Sequence, residues 1–208
     1  MVARAASAEA TGHRVVEEAQ RLFETEPFDD VTLAAVAIAA GVSVQTVVRR
    51  FGTKEALFAA TVERRSALVR AERDRSLRGN PTAAISDLYA SYERWGDGVL
   101  HLLAQEQRSP LIWRACQRGR EYHRHWVESV FGPHVERSEK TNSLLMTELV
   151  VVTDVYVWRL LRRDLGLRRQ EAERAVRDMV TGLLAAASCL PKGVQVSAAL
   201  TRYSRPGH

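Results

Sequence analysis

Between Ser43 and Lys54 the chain places three cations, Arg49, Arg50 and Lys54, and no anion. The neighbouring sequence is otherwise rich in acid. Gln45 and Arg49 are four residues apart, which on a helix puts them on one face. A glutamine can pair bidentately with adenine and an arginine with guanine. Thr46 and Arg50 are expected to face outward with them. Thr53 and Lys54 stand where a helix N-terminus and a cation together suit a phosphate. This chemistry points to an edge that reads duplex DNA.

The elements needed to position these residues are legible on both sides of Gly41. Thr32 is an N-cap type, and Leu33, Val36, Ala37 and Ala40 follow at helical spacing. Gly41 can take the left-handed conformation that turns the chain. Ser43 caps a second helix, in which Val44, Val47, Val48 and Phe51 are predicted to face inward. Gly52 ends it and Thr53 caps a third. Two short helices joined by a glycine turn make a helix-turn-helix, whose second helix enters the major groove. A plain helical hairpin has the same apolar pattern, so the local cations are what favour DNA.

The run from about Val15 to Leu57 resembles the N-terminal domain of the TetR family of transcriptional regulators. The resemblance rests on Leu22-Phe23, Phe28 to Leu33, Ala40-Gly41-Val42-Ser43, Thr46 and the stretch Phe51 to Phe58. It implies three helices for DNA binding, a fourth as connector, and a helical domain behind that senses a ligand and dimerises. It also implies that Thr32, Thr46 and Lys54 touch DNA. Many relatives carry tyrosine where this chain has Val48. Valine donates no hydrogen bond, so Val48 is expected in the core.

The chain has 208 residues, 46% hydrophobic and 26% charged, with a formal net charge of +5. These values fit a globular protein. Residues 1–66 hold eight basic and nine acidic side chains, so DNA attraction must come from local placement. The basic runs at Arg64-Arg65 with Arg70, and at Arg159 with Arg162-Arg163, read as solvated helix faces. Cys116 and Cys189 lack metal spacing and read as reduced thiols. Residues 1–12 do not resemble a secretory signal, and no apolar run reaches the ~20 residues a membrane helix needs. The expected location is therefore cytoplasmic. With no phosphate-binding glycine loop, nucleophile elbow or metal-ligand spacing, we expect no enzyme, no cofactor and no metal.

The expected fold is all-α: a disordered arm at 1–8, a helix-turn-helix domain at 9–60, and a ligand-sensing and dimerising domain at 79–208, with helix 54–78 as connector. Asn80-Pro81 and Ser109-Pro110 pair a cap with a first-turn proline. Gly96 and Gly98 interrupt the next helix, and we expect a kink or a fresh start capped by Asp97 there. A polar loop is expected at 134–142. Helices at 143–165 and 168–189 follow. The first of these is apolar nearly all round, as befits a helix buried on every side. Paired with its copy and the last helix, it predicts a homodimer. Two reading heads then bind half-sites about 34 Å apart or a multiple of it.

Trp95, Trp113, Arg120, His123, Trp126, Asp154 and Trp158 are the candidate ligand-binding residues. Aromatic walls with few polar groups suit a small-molecule cavity. An aromatic-filled core is the plainer reading. As a whole, the sequence predicts a repressor released from a palindromic operator by a small-molecule effector. The alternative is an all-helical small-molecule-binding protein or enzyme that does not bind DNA.

Overall fold

The computed structural model describes residues 2–74, 80–135 and 139–189, except the side chains of 2–7, 139–142 and 188–189. Met1, the connector's expected end at 75–78, Gly79 and the tail from 192 lie outside the described residues. Every described element is helical, as expected: α1 Val2–Thr25, α2 Leu33–Ala40, α3 Val44–Phe51, α4 Lys54–Arg73, α5 Pro81–Leu103, α6 Pro110–Phe131, α7 Glu139–Val152, α8 Val155–Arg159 and α9 Arg169–Cys189. A π-helical turn, Leu160–Asp164, follows α8.

The caps work where the sequence places them. Thr32, Ser43, Thr53 and Asn80 each accept a hydrogen bond from the amide three residues on, and Ser109 from the amide of Leu111. Each satisfies an amide that the helix itself leaves unpaired. Gly41 has φ 64°, the left-handed conformation expected of the turn.

Two cores hold the helices together. In the first, Val15, Ala19, Leu22 and Phe23 of α1 meet Val36, Val47, Leu57 and Phe58. Phe23, Phe28 and Phe58 form an aromatic trio with centroids 5.1–5.6 Å apart. Burying a phenylalanine side chain stabilises by roughly 1.5–3 kcal/mol. Leu102 of α5 and Ile112, Ala115 and Cys116 of α6 join this same core. The two lobes therefore share packing across the boundary that Asn80-Pro81 marks in the chain. The second core gathers Leu88, Tyr89 and Tyr92 of α5 with Trp126, Phe131, Leu149, Trp158 and Val176.

Four expectations need correction. The arm expected to be disordered over 1–8 is helical from Val2, and an Arg50 nitrogen donates to the Ala8 carbonyl at 2.9 Å. The expected loop at 134–142 is shorter, because α7 already begins at Glu139. Helix α5 is continuous through Gly96 and Gly98, with no fresh start at Asp97. Those glycines allow close approach: a Cβ on Gly96 would lie 2.5 Å from the Trp158 ring, and one on Gly98 2.8 Å from Glu24.

The fourth correction concerns the long helix expected at 143–165, which breaks at Thr153-Asp154. The Tyr92 hydroxyl donates to the Thr153 carbonyl at 2.9 Å, and Asp154 accepts from the Tyr156 amide at 2.9 Å as the cap of α8. Both ends of the break are thus paired.

Candidate nucleic-acid interface and buried cavity

The chain bends by 112° between α2 and α3, within the range of a helix-turn-helix. Ser43 accepts from the Thr46 amide at 3.1 Å, and the two hydroxyls lie 2.9 Å apart. Each therefore holds the first turn of α3 and remains at its outer edge.

Only Val47 of α3 is fully buried. Val44 and Val48, expected inside, are each 44% exposed. An eight-residue helix resting on α2 and α4 buries one narrow stripe, and Val47 fills it. Val44, Gln45, Val48 and Arg49 then make one exposed stripe. Gln45 and Arg49 have no protein partner among the described residues. Both stay clear of the second lobe.

The other cations are more constrained than the sequence suggests. The Arg50 guanidinium lies over Gly12 of α1 and is held by the Ala8 carbonyl. Lys54 donates to the carbonyls of Phe28 and Asp29 at 2.9 and 3.1 Å, with its ammonium 4.6 Å from the Phe28 ring centre. It fastens the turn before α2 to the start of α4. Thr32 and Thr53 are exposed at the caps of α2 and α4.

Behind this lobe a cavity of about 310 Å³ lies among α4, α5, α6 and the start of α8. Of the residues expected there, Trp95, Arg120, His123 and Asp154 line it. The other three do not. Trp113 is 48% exposed, while Trp126 and Trp158 are buried in the second core. Aromatic type alone does not separate wall, core and surface. Arg120 pairs with Glu106 at 2.7 Å, and Trp95 donates to Glu72 at 3.1 Å. Asp154 is committed to its cap, and burial raises its carboxyl above the usual range.

His123 lies 3.2 Å from the Thr153 hydroxyl through Nε2. That hydroxyl donates to the Leu149 carbonyl at 2.6 Å, so Nε2 must be the donor to it. Nδ1 is then an acceptor, and it has no partner among the described residues. Burial first, and the nearby Arg73 charge second, push the imidazole down to about 3. Burial likewise pushes the Tyr122 hydroxyl up to about 12 and raises the Cys116 thiol.

Residues 15–61 match the family described as bacterial regulatory proteins, tetR family. The match spans α2, α3 and parts of α1 and α4, and so lies within the N-terminal lobe. The whole fold is similar to a tetR-family transcriptional regulator from Streptomyces coelicolor, with TM-score 0.68, 18% identity, and 86% of this chain and 82% of that one covered. A transcriptional regulator from Rhodococcus sp. Rha1 gives TM-score 0.67 at 16% identity, covering 86% of this chain and 99% of that one. The multidrug binding protein EbrR, complexed with imidazole, gives 0.52 at 18% identity, with 80% and 88% covered. No curated protein matches the sequence.

Helix α4 starts with Lys54 against the turn before α2 and ends with Arg73 in the cavity wall. Sequence reasoning missed Arg73, Ser91 and Tyr92. A signal for Arg73 was present: Val62, Ser66, Val69 and Arg73 recur at spacings of four, three and four, one face of a helix.

Proposed function

We propose that the chain is a homodimeric transcriptional repressor, released from a palindromic operator by a small-molecule effector in the bacterial cytoplasm. The observation that carries the reading is the exposed α3 stripe, in which Gln45 and Arg49 have no partner among the described residues. Gln45 and Arg49 take base edges, and Val44 and Val48 offer methyl groups to thymine. Thr32, Ser43, Thr46 and Thr53 lie toward the phosphates. Arg50 and Lys54 brace the domain and add local positive charge. An ammonium has three donors, and Lys54 gives two to carbonyls, so one remains for a phosphate.

Support for the dimer comes from apolar side chains left in solvent. Leu144 and Val151 on α7, Leu160 and Leu165 after α8, and Met179 on α9 are each at least 38% exposed. A second copy of these surfaces would cover them. Two α3 helices then address half-sites about 34 Å apart or a multiple of it.

Release requires that the effector bind the conformer unable to hold DNA more tightly than the competent one. By reciprocity, operator binding then weakens effector binding. Helix α4 joins the two sites. The multidrug-binding neighbour supports small-molecule recognition by this fold.

Selection of random duplexes by the purified protein tests the reading. An enriched motif with two-fold symmetry is expected, with a dimer in sedimentation. No enrichment, or an asymmetric motif bound by a monomer, overturns it.

A further inference from the structure

Arg73 is only 6% exposed, and its guanidinium faces the cavity. It makes no ion pair among the described residues, and its Nε has no hydrogen-bond partner. The guanidinium lies 4.9 Å from the centre of the Tyr92 ring and 5.8 Å from that of Tyr122. Such contacts offset part of the cost of desolvating a cation, but a buried charge ordinarily has a counter-charge.

The nearby acids are committed elsewhere. Glu63 pairs with Arg70 at 3.5 Å, Glu106 with Arg120, and Glu72 with Arg94 and Trp95. Asp154 caps α8. Ser91, also buried at the cavity wall, has an unpaired hydroxyl. The described lining holds five arginines against Glu63 and Asp154. The rest of the wall is apolar or aromatic.

We propose that the cavity binds a small apolar acid, its carboxylate held by the Arg73 guanidinium and the Ser91 hydroxyl. Its body lies against Tyr92, Trp95, Val99 and Leu102. A guanidinium presents paired donors that match a carboxylate. The proposal rests on the reading of the cavity as the effector site. Because Arg73 ends α4, an acid drawn to it acts directly on the helix that begins at the DNA-binding domain.

The test is calorimetric titration of the full chain with 4-phenylbutyrate and 2-naphthylacetate, beside their primary amides, their amines and 3-phenylpropyl phosphate. The acids are expected to bind, the amides about tenfold or more weakly, and the amines not at all. Arg73→Met should remove the preference for the acid, while Arg118→Gln, an exposed cation of the lining, should leave it within about twofold. Binding of amide or amine as tight as that of acid overturns the proposal. So does tighter binding of the phosphate, equal loss in both variants, or no binding by either acid. Should Arg73→Met not fold, the comparison of acid, amide and amine on the unaltered chain decides alone. Duplex binding by the same preparations separates the two readings. Lost duplex binding with acid preference intact refutes the regulator and not the acid site; the reverse pattern refutes only the acid site.

Discussion

The side-chain oxygen of Gln105, in the turn just after α5, accepts the Phe28 amide proton at 2.8 Å, across 77 residues of sequence. Gln105 is buried, and its own amide donates to the His101 carbonyl at 3.1 Å. His101 in turn donates through Nε2 to the Glu26 carbonyl at 2.8 Å. The turn before α2 is thus held from the second lobe by α5 and from below by Lys54. The reading head and the cavity lobe are joined by named hydrogen bonds as well as by apolar packing.

Removing the acceptor at Gln105 leaves a partly buried amide without a partner, which costs about 1–3 kcal/mol. Gln105→Ala is expected to lose stability in that range in urea unfolding, with the Phe28 amide exchanging faster. Unchanged stability and exchange would show that the contact is incidental.

Lys54 gives its ammonium to two carbonyls beside an aromatic ring. Hydrogen bonds from a charged donor contribute about 1.5–3 kcal/mol each, with coupled pairs less than additive. Lys54→Met is therefore expected to lower stability by about 2 kcal/mol as well as DNA affinity. Weakened DNA binding at full stability would restore a purely phosphate-binding role.

Gly96 is the point where α5 meets Trp158, which is fully buried and donates its indole proton to Glu93 at 2.9 Å. The ring has no room to retreat, so Gly96→Ala is expected to cost about 1–3 kcal/mol by overpacking. Gly98→Ala meets the Glu24 side chain, which can swing aside, and should cost less. A thermal melt of both variants checks the order. A harmless Gly96→Ala would mean that α5 and α8 slide apart easily.

His123 makes the fold sensitive to acid. Its imidazole titrates near 6.5 when unfolded and near 3 when folded, so between these values the unfolded chain binds the extra proton. Stability then rises with pH through this window and falls as pH drops through it. His123→Phe is expected to lose less stability between pH 7 and pH 5 than the parent chain. Equal slopes in denaturant titrations at the two pH values would remove this role for His123.

The helix caps and the glycine turn were legible because their causes are local: Ser43, Thr46 and Gly41 act within a few residues of each other. The exposed stripe was only half legible. Four apolar positions on an eight-residue helix do not say which one the neighbouring helices cover, and only Val47 is covered fully. Gly96 read as a kink because its reason, the Trp158 ring, lies 62 residues away. The break at Thr153 was hidden for the same cause, since Tyr92 supplies the bond that permits it. Of the aromatic residues gathered as a pocket, Trp95 lines the cavity, while Trp126 and Trp158 fill the core and Trp113 lies outside. Arg73 was overlooked because the residues opposite it, Ser91, Tyr92 and Tyr122, lie on helices distant in sequence, so its inner face shows only once they are packed.

The central claim is that α3 reads base edges through Gln45 and Arg49. The most direct test is titration of the selected duplex, and of a scrambled duplex of equal length, with the parent chain and with Arg49→Ala, over a range of salt. Arg49→Ala is expected to lose about 1–3 kcal/mol on the selected duplex and much less on the scrambled one, with its fold intact. Equal losses on both duplexes, or no loss on either, would contradict the claim.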